Sequence, residues 1–318
     1  MAGPQTSSIK SSGGDYTTIV SWEATEDRNL VSLTETETAT CDNLEFSNAP
    51  IDITGWSCNS TYFVTLKTAD AHASGGAYLT NAARMTNSTN AHIFIIREDF
   101  TVIDGMTLRT TGTSNRSVLD IPVGGNGSTI RNCILINEST GSAESVRCTS
   151  GGGSVEYINC TMVSTGGRCV LGSTGTVDFY SCSMSSGHDG VYLNSSGTLN
   201  LKNCYVSSTS QTAYLADSGT INLTTCASDD LTGSVGLTSI ALNTTNFTNV
   251  TAGTEDFRLK TGSALLDVGT DLDTDIGDSL DMEGVTRPEG SAWDIGPYEL
   301  IVVAGAAPRR RLLLGVGR

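Results

Sequence analysis

The chain has 318 residues, a formal charge of −16, and only 6% aromatic residues. So acidic a surface argues against non-specific binding to nucleic acid or to anionic membranes, and no 18-residue apolar stretch is present to span a bilayer. The abundance of Gly, Ser, Thr and Asn disfavours long helices, yet the apolar residues recur too regularly for a disordered chain.

Residues 1–50 are expected to form an N-terminal arm and cap. Residues 1–5 lack the basic-then-apolar pattern of a secretion signal, and residues 16–25 (YTTIVSWEAT) suit a short amphipathic helix. The repeat fold is expected over residues 51–300. Ile51-Asp52-Ile53 and Phe63-Val64-Thr65-Leu66 read as its first strands. Val102-Ile103-Asp104-Gly105-Met106-Thr107-Leu108 resembles the later copies and places Gly105 in their cysteine column.

The strongest signal follows. Cys133, Cys160, Cys182, Cys204 and Cys226 are separated by 27, 22, 22 and 22 residues. Three positions before each stands an apolar residue: Ile130, Tyr157, Phe179, Leu201 and Leu223. A polar residue directly precedes each cysteine, and glycine stands seven positions before four of them. Leu199-Asn200-Leu201 and Ile221-Asn222-Leu223 alternate as strands with one buried face do. The glycines suit tight corners with positive φ. Short strands and polar corners repeating about every 22 residues predict an all-β fold, a single-stranded right-handed parallel β-helix, with equivalent residues stacked about 4.8 Å apart.

The cysteines are therefore core rungs, because cysteine packs as a small hydrophobe. A column of parallel side chains does not converge tetrahedrally on zinc, and it makes poor disulfides. Nine cysteines is an odd number, and buried reduced thiols are the simpler reading. The Asn-x-Ser/Thr triplets, Asn59 among them, are expected by chance in so Asn- and Thr-rich a chain.

Beyond Cys226 the repeat loosens. Asp256-Phe257-Arg258-Leu259, Ser263-Ala264-Leu265-Leu266-Asp267-Val268-Gly269, Arg287-Pro288 and Asp294-Ile295-Gly296-Pro297-Tyr298-Glu299 follow. This ending resembles that of right-handed parallel β-helix repeat proteins of the phage and bacterial type, on the pectate-lyase-like scaffold. Gly14-Asp15-Tyr16-Thr17-Thr18 with Trp22-Glu23 resembles their opening. The resemblance implies the fold and leaves function open, since the scaffold serves lyases, hydrolases, adhesins and virion proteins.

Enzymes of this scaffold carry clustered carboxylates on adjacent turns. Glu156 and Asp178 share a column, each four residues before its cysteine. Solvent-facing strand positions are the plainer reading of both. His188-Asp189-Gly190 lies between turns, and His188 with Asp189 is the other candidate for catalysis or ligand binding. The acidic run Asp267, Asp271, Asp273, Asp275, Asp278 and Asp281 does not match an EF-hand loop and reads as solvated charge. No cofactor or metal is expected.

Residues 301–318 form a basic and then apolar tail. Pro308, Arg309, Arg310, Arg311, Leu312, Leu313 and Leu314 are its expected docking segment. With so thin a catalytic inventory, the leading expectation is a non-enzymatic bacteriophage virion structural protein. It would be a capsid decoration or cement protein, or a fibre component, made in the host cytoplasm and carried in the virion. Its expected partners are other virion proteins such as the major capsid protein, in a homotrimer, with no nucleic acid and no membrane. The alternatives are a tailspike or secreted enzyme that binds or cleaves polysaccharide, with a glycan as ligand, and a bacterial surface adhesin.

Overall fold

The computed structural model describes residues 3–42, 45–46, 50–69, 83–89, 91–113, 116–122, 124–141, 144–148, 153–230 and 239–301. Among the described residues every strand ladder is parallel except that of Phe247–Asn249 with Asp256–Leu259, and successive turns stack into three long sheets. The fold is a right-handed parallel β-helix of about seven turns, averaging about 24 residues each.

One turn shows the path. Thr176–Tyr180 lies in sheet 1, Ser183–Ser186 in sheet 2 and Val191–Leu193 in sheet 3, and the chain then enters Thr198–Lys202, back in sheet 1. Among the described residues, the three sheets hold nine, eight and seven strands. In-register partners such as Val177 and Leu199, or Leu199 and Ile221, are 22 residues apart. The 22-residue spacing is confined to these turns. Ile103, Ile130 and Tyr157 are 27 apart, and Leu66 stands 37 before Ile103. The paired strands stay in register across these longer turns.

Sheets 1 and 2 meet at the polar residue before each cysteine. Asn132, Asn159, Ser181, Asn203 and Thr225 all have φ between 50° and 54°. This left-handed conformation bends the chain by one residue without breaking either ladder, and Asn tolerates it best of the non-glycine residues. The sequence alignment of the preceding turn is corrected here by one position. Ile103 pairs with Ile130 and Thr107 with Ile134, so Gly105 (φ 75°) takes the bend and Met106 the cysteine column. The glycine column seven residues before each cysteine has two physical origins. Gly219 is at φ 81°. Gly197 is not, but a Cβ there would come within 2.8 Å of the Ser173 carbonyl oxygen of the turn below.

Inside, the columns stack as expected. Tyr157 and Phe179 are parallel with centroids 5.0 Å apart. Cys133, Cys160, Cys182, Cys204 and Cys226 are fully buried and unpaired. Each thiol from Cys160 onward donates to a carbonyl of the preceding turn: Cys182 Sγ to Tyr157 O at 3.5 Å, Cys204 to Phe179 O at 3.5 Å, and Cys226 to Leu201 O at 3.3 Å. Burial pushes the Cys182 and Cys226 thiols well up, which keeps them protonated and unreactive.

The solenoid starts earlier than residue 51. Gln5–Ile9 and Glu37–Cys41 are the first two rungs of sheet 1, disguised in sequence because polar Ser7 and Glu37 occupy inward positions. Glu37 is 1% exposed and accepts from Ser7 Oγ at 2.6 Å, Arg28 Nη2 at 2.9 Å and Trp22 Nε1 at 3.3 Å. Trp22 projects from the expected helix, observed at Ile19–Glu26 with Thr18 as its N-cap, and meets Trp56 at 5.6 Å. Together these groups close the N-terminal end.

Residues 239–301 return along the side of the solenoid as a strap. Phe247, Phe257, Leu265, Ile295 and Tyr298 pack on the outward residues Ile134, Ile136, Val163 and Tyr205 of sheet 2. Leu272 and Trp293 pack on Ile158 and Tyr180 of sheet 1. The bend asparagines fasten the strap. Asn203 donates to Thr270 O (2.6 Å) and accepts from Thr270 N (2.8 Å), while Asn159 donates to Leu280 O (2.8 Å) and accepts from Arg287 Nη2 (3.2 Å). Arg287, wholly buried, also binds Glu299 at 3.1 Å, Gly296 O at 3.0 Å and Asp294 O at 3.3 Å. Arg287, Asp294 and Glu299 are thus a fastening. Residues 302–318, with the tail expected to dock, lie outside the described residues.

Two predictions follow from this packing. Arg287→Ala leaves the Glu299 carboxylate buried without its cation and should cost about 3–5 kcal/mol in denaturant titrations. The second concerns pH. Burial, with Asp230 beside it, raises Asp229 from 3.8 to about 6, and burial raises Glu144 and Glu156 as well. The folded state therefore holds protons that the unfolded chain releases, so this contribution is full below about pH 4 and is lost as pH rises through about 6. The urea midpoint should fall between pH 5 and pH 7.5, and Asp229→Asn should flatten part of that fall.

Candidate functional site

The outer face of sheet 1 carries the first pair of candidates. Glu156 and Asp178 are register partners on adjacent rungs, half-buried and pointing away from the core between inward Val155 and Tyr157 on one strand and Val177 and Phe179 on the other. The column continues as Asn200 and Asn222. Asn200 Nδ2 donates to Asp178 Oδ1 at 2.6 Å, and Asn222 Nδ2 to Asn200 Oδ1 at 2.8 Å. This amide ladder fixes the Asp178 carboxylate from one side. Burial, then the Asp178 charge, raises the Glu156 carboxyl above its ordinary range.

The strap defines one wall beside this column. The next outward column, at Ile158 and Tyr180, is covered by Leu272, Trp293 and Ile276, and Lys202 beyond it reaches Asp275 at 2.6 Å. Two neighbouring carboxyl groups whose environments differ, one raised by burial and one held by an amide donor, form an arrangement suited to paired acid and base chemistry.

His188 and Asp189 lie elsewhere, in the loop between sheets 2 and 3, and belong to a different constellation. Asp189, 2% exposed, accepts from Arg168 Nε at 3.1 Å and Thr212 Oγ1 at 3.4 Å, and its Oδ2 lies 2.8 Å from His188 Nδ1. The Arg168 guanidinium lies 4.2 Å from the Tyr192 ring centroid, and the Tyr192 hydroxyl donates to Asp217. Asp189 thus joins three successive turns through Arg168, His188 and Thr212. Both Asp189 oxygens are engaged by the fold, and the structure does not bring this hub together with Glu156 and Asp178. A parallel pair lies on the same side: Arg147 grips Asp120 with bonds of 2.8 and 2.7 Å. Sequence reasoning missed Arg168, Arg147 and Asp120. Their partners stand 21 to 27 residues away, a spacing that has meaning only once the turns are stacked.

The acidic run is spent on turns. Asp267 accepts from Ser291 N and Ala292 N, Asp281 from Glu283 N, Val285 N and Glu299 N, and Asp275 binds Lys202. Among the described residues no group of three or more His, Cys, Asp or Glu side chains is placed to hold a metal ion.

No protein-family model matches the chain, and no curated protein matches it in sequence. Solved structures do match in the course of the chain. The pectate lyase Pel9A is similar over 94% of this chain and 96% of its own, at 12% identity and a TM-score of 0.49. The pectin methylesterase from Aspergillus niger in deglycosylated form is similar over 74% of this chain and 89% of its own, at 13% identity and a TM-score of 0.45. Its penultimately deglycosylated form is similar over 90% and 97%, at 12% identity and a TM-score of 0.49.

Proposed function

We propose that the protein binds an extended polysaccharide along the outer face of sheet 1 and cleaves it with Glu156 and Asp178. The observation that carries this reading is the in-register carboxyl pair, with Asp178 held by Asn200 and Glu156 raised by burial. Glu156, protonated, gives its proton to the glycosidic oxygen. The glycosidic C–O bond breaks as the Asp178 carboxylate attacks the anomeric carbon, and the leaving sugar departs with the Glu156 proton; water, deprotonated by Glu156, then displaces Asp178 and frees the new reducing end. Adjacent rungs are about 4.8 Å apart, close to the roughly 5–5.5 Å between carboxyl groups that goes with retention of anomeric configuration. The net charge of −16 favours a neutral glycan over a polyuronate.

The expected result is release of reducing ends from a neutral polysaccharide, with the product anomer retained by NMR. Glu156→Gln and Asp178→Asn should each lower kcat by about 100-fold or more and leave glycan binding intact. Full activity in both variants would exclude these two residues.

The virion reading draws on the basic-apolar tail. On that reading the chain is a structural protein, docked on capsid or tail through Arg309, Arg310, Arg311, Leu312, Leu313 and Leu314 and associated in threes. It predicts copies of the chain in purified particles, and loss of particle binding when residues 306–318 are deleted from a body that still folds.

A further inference from the structure

The two ends of the solenoid are finished differently. At the N-terminal end the helix Ile19–Glu26 lies against the first rungs. At the C-terminal end the last rung of sheet 1 is Thr220–Thr224, which pairs with Thr198–Lys202. No described strand pairs with its other side. The inward residues show the consequence. Leu199 and Leu201 are 1% and 0% exposed, whereas their register partners Ile221 and Leu223 are only partly buried. The neighbouring sheets end otherwise. Ser228 O of sheet 2 accepts from Ile240 N at 2.9 Å, and the Tyr214 hydroxyl reaches from sheet 3 to Ala227 O at 3.3 Å.

The backbone of this last rung is aimed in two directions. Thr220 N donates to Gly197 O at 3.0 Å, and Thr224 O accepts from Asn203 N at 3.1 Å. Backbone groups of successive residues alternate sides along a strand, so those of Ile221 and Leu223 point off the open edge. Exposed edges are ordinarily blunted by Lys, Pro, a bulge or a covering segment. Thr220-Ile221-Asn222-Leu223-Thr224 carries no charge and no proline. The acidic groups near this end are engaged within the chain. Asp229 accepts from Ser208 N at 3.2 Å, Asp230 from Ala213 N at 2.9 Å, and Asp217 from the Tyr192 hydroxyl.

We propose that this edge is a self-association surface, on which a second copy of the chain pairs antiparallel and end to end about a twofold axis at Asn222. The strand's own sequence selects that partner, because it reads alike in both directions. An antiparallel twofold sets Thr220 opposite Thr224, Ile221 opposite Leu223 and Asn222 opposite itself, which is the self-complementarity that an isologous contact requires. A strand of unrelated sequence would find the same backbone groups without this match. The free groups also fall in the right places. Ile221 with Leu223 of the second copy, and Leu223 with its Ile221, become hydrogen-bonded pairs that each exchange two bonds, and Asn222 takes the closer, non-hydrogen-bonded position between them. The inward side chains of the two last rungs then cover one another. Asn222 Nδ2 donates to Asn200 Oδ1 at 2.8 Å and keeps a second amide hydrogen for its mate.

The test is sedimentation equilibrium of the full chain from about 1 μM to about 1 mM. The mass should rise from 33.2 kDa toward twice that value, and amide exchange at Ile221 and Leu223 should slow as it does. Thr220→Glu with Thr224→Glu sets like charges opposite one another and should weaken association about tenfold or more. Thr220→Lys with Thr224→Glu sets opposite charges there and should restore it. In a parallel register the same double variant would set Lys against Lys and Glu against Glu, so restoration reports the antiparallel twofold. Both positions are exposed, and circular dichroism should show an unchanged fold in each variant. A single-copy mass at every concentration, as when the edge is covered by the chain itself, would overturn the assignment. So would a three-copy mass, association indifferent to the two glutamates, or failure of the Lys and Glu pair to restore it.

Discussion

The left-handed bend between sheets 1 and 2 is the constraint on which the rest depends. It occupies one residue per turn, at Gly105, Asn132, Asn159, Ser181, Asn203 and Thr225. A strand ladder transmits register from rung to rung, and a slip of one residue would turn every inward side chain outward. With the bend fixed, the following residue, Met106 or a cysteine, faces the core on each of these rungs, and the strand before it keeps Tyr157, Phe179 and Leu201 inside. The cost is backbone strain at non-glycine positions, of order 1–3 kcal/mol each for residues other than Asn. Asparagine is the cheapest side chain that also brings a donor and an acceptor. Asn159 and Asn203 use both groups to hold the strap, at 2.6 to 3.2 Å. The same residue type thus turns the chain and ties the turn to a segment 67 to 128 residues away in sequence.

That tie explains why the ending is chemically elaborate. The strap covers apolar residues that face outward, including Ile134, Ile136, Val163 and Tyr205. A solenoid exposing them would present a greasy side along several turns. Covering them required an irregular segment, and irregular backbone needs partners for its amides. Glu299 accepts from the amides of Asp294 and Glu289, and Asp294 from those of Asp267 and Leu300. Arg287 then neutralises Glu299 and bonds back to Asn159. Buried charge here replaces the regular ladder that the rest of the chain enjoys.

The division between what the sequence revealed and what it hid follows the same physics. Uniform turns with short loops leave a fixed period, so the cysteine column and its 22-residue spacing were legible. So was the shared column of Glu156 and Asp178, because in-register strands convert spacing into contact. Upstream, the turns lengthen to 27 and 37 residues. Without that period, the sequence pattern sets Gly105 one position off and makes the first two rungs read as part of a cap. Glu37 hid its rung further, since a charged residue at an inward position contradicts the pattern until Arg28, Ser7 and Trp22 are seen around it. The hub of Arg168, Asp189 and Thr212 was invisible for a related reason. The sequence shows His188 beside Asp189, but only stacking shows that Asp189 is saturated.

The strap also decides where a ligand can lie on the solenoid. It closes sheet 2 over most of its outward apolar residues and takes the Ile158–Tyr180 column of sheet 1. On sheet 1 it leaves the adjacent column from Glu156 to Asn222, whose exposure rises from half-buried at Glu156 to open at Asn222. A chain-like ligand laid along that column would meet one polar group per rung, about every 4.8 Å, with the wall of the strap on one side. The groups change in kind along the way, from carboxyls to amides. Amides hydrogen-bond hydroxyls in either sense, whereas burial raises the Glu156 carboxyl at the other end of the column. On the proposed reading the face would separate holding from cutting along its length, which is the physical reason that loss of either carboxyl should spare binding.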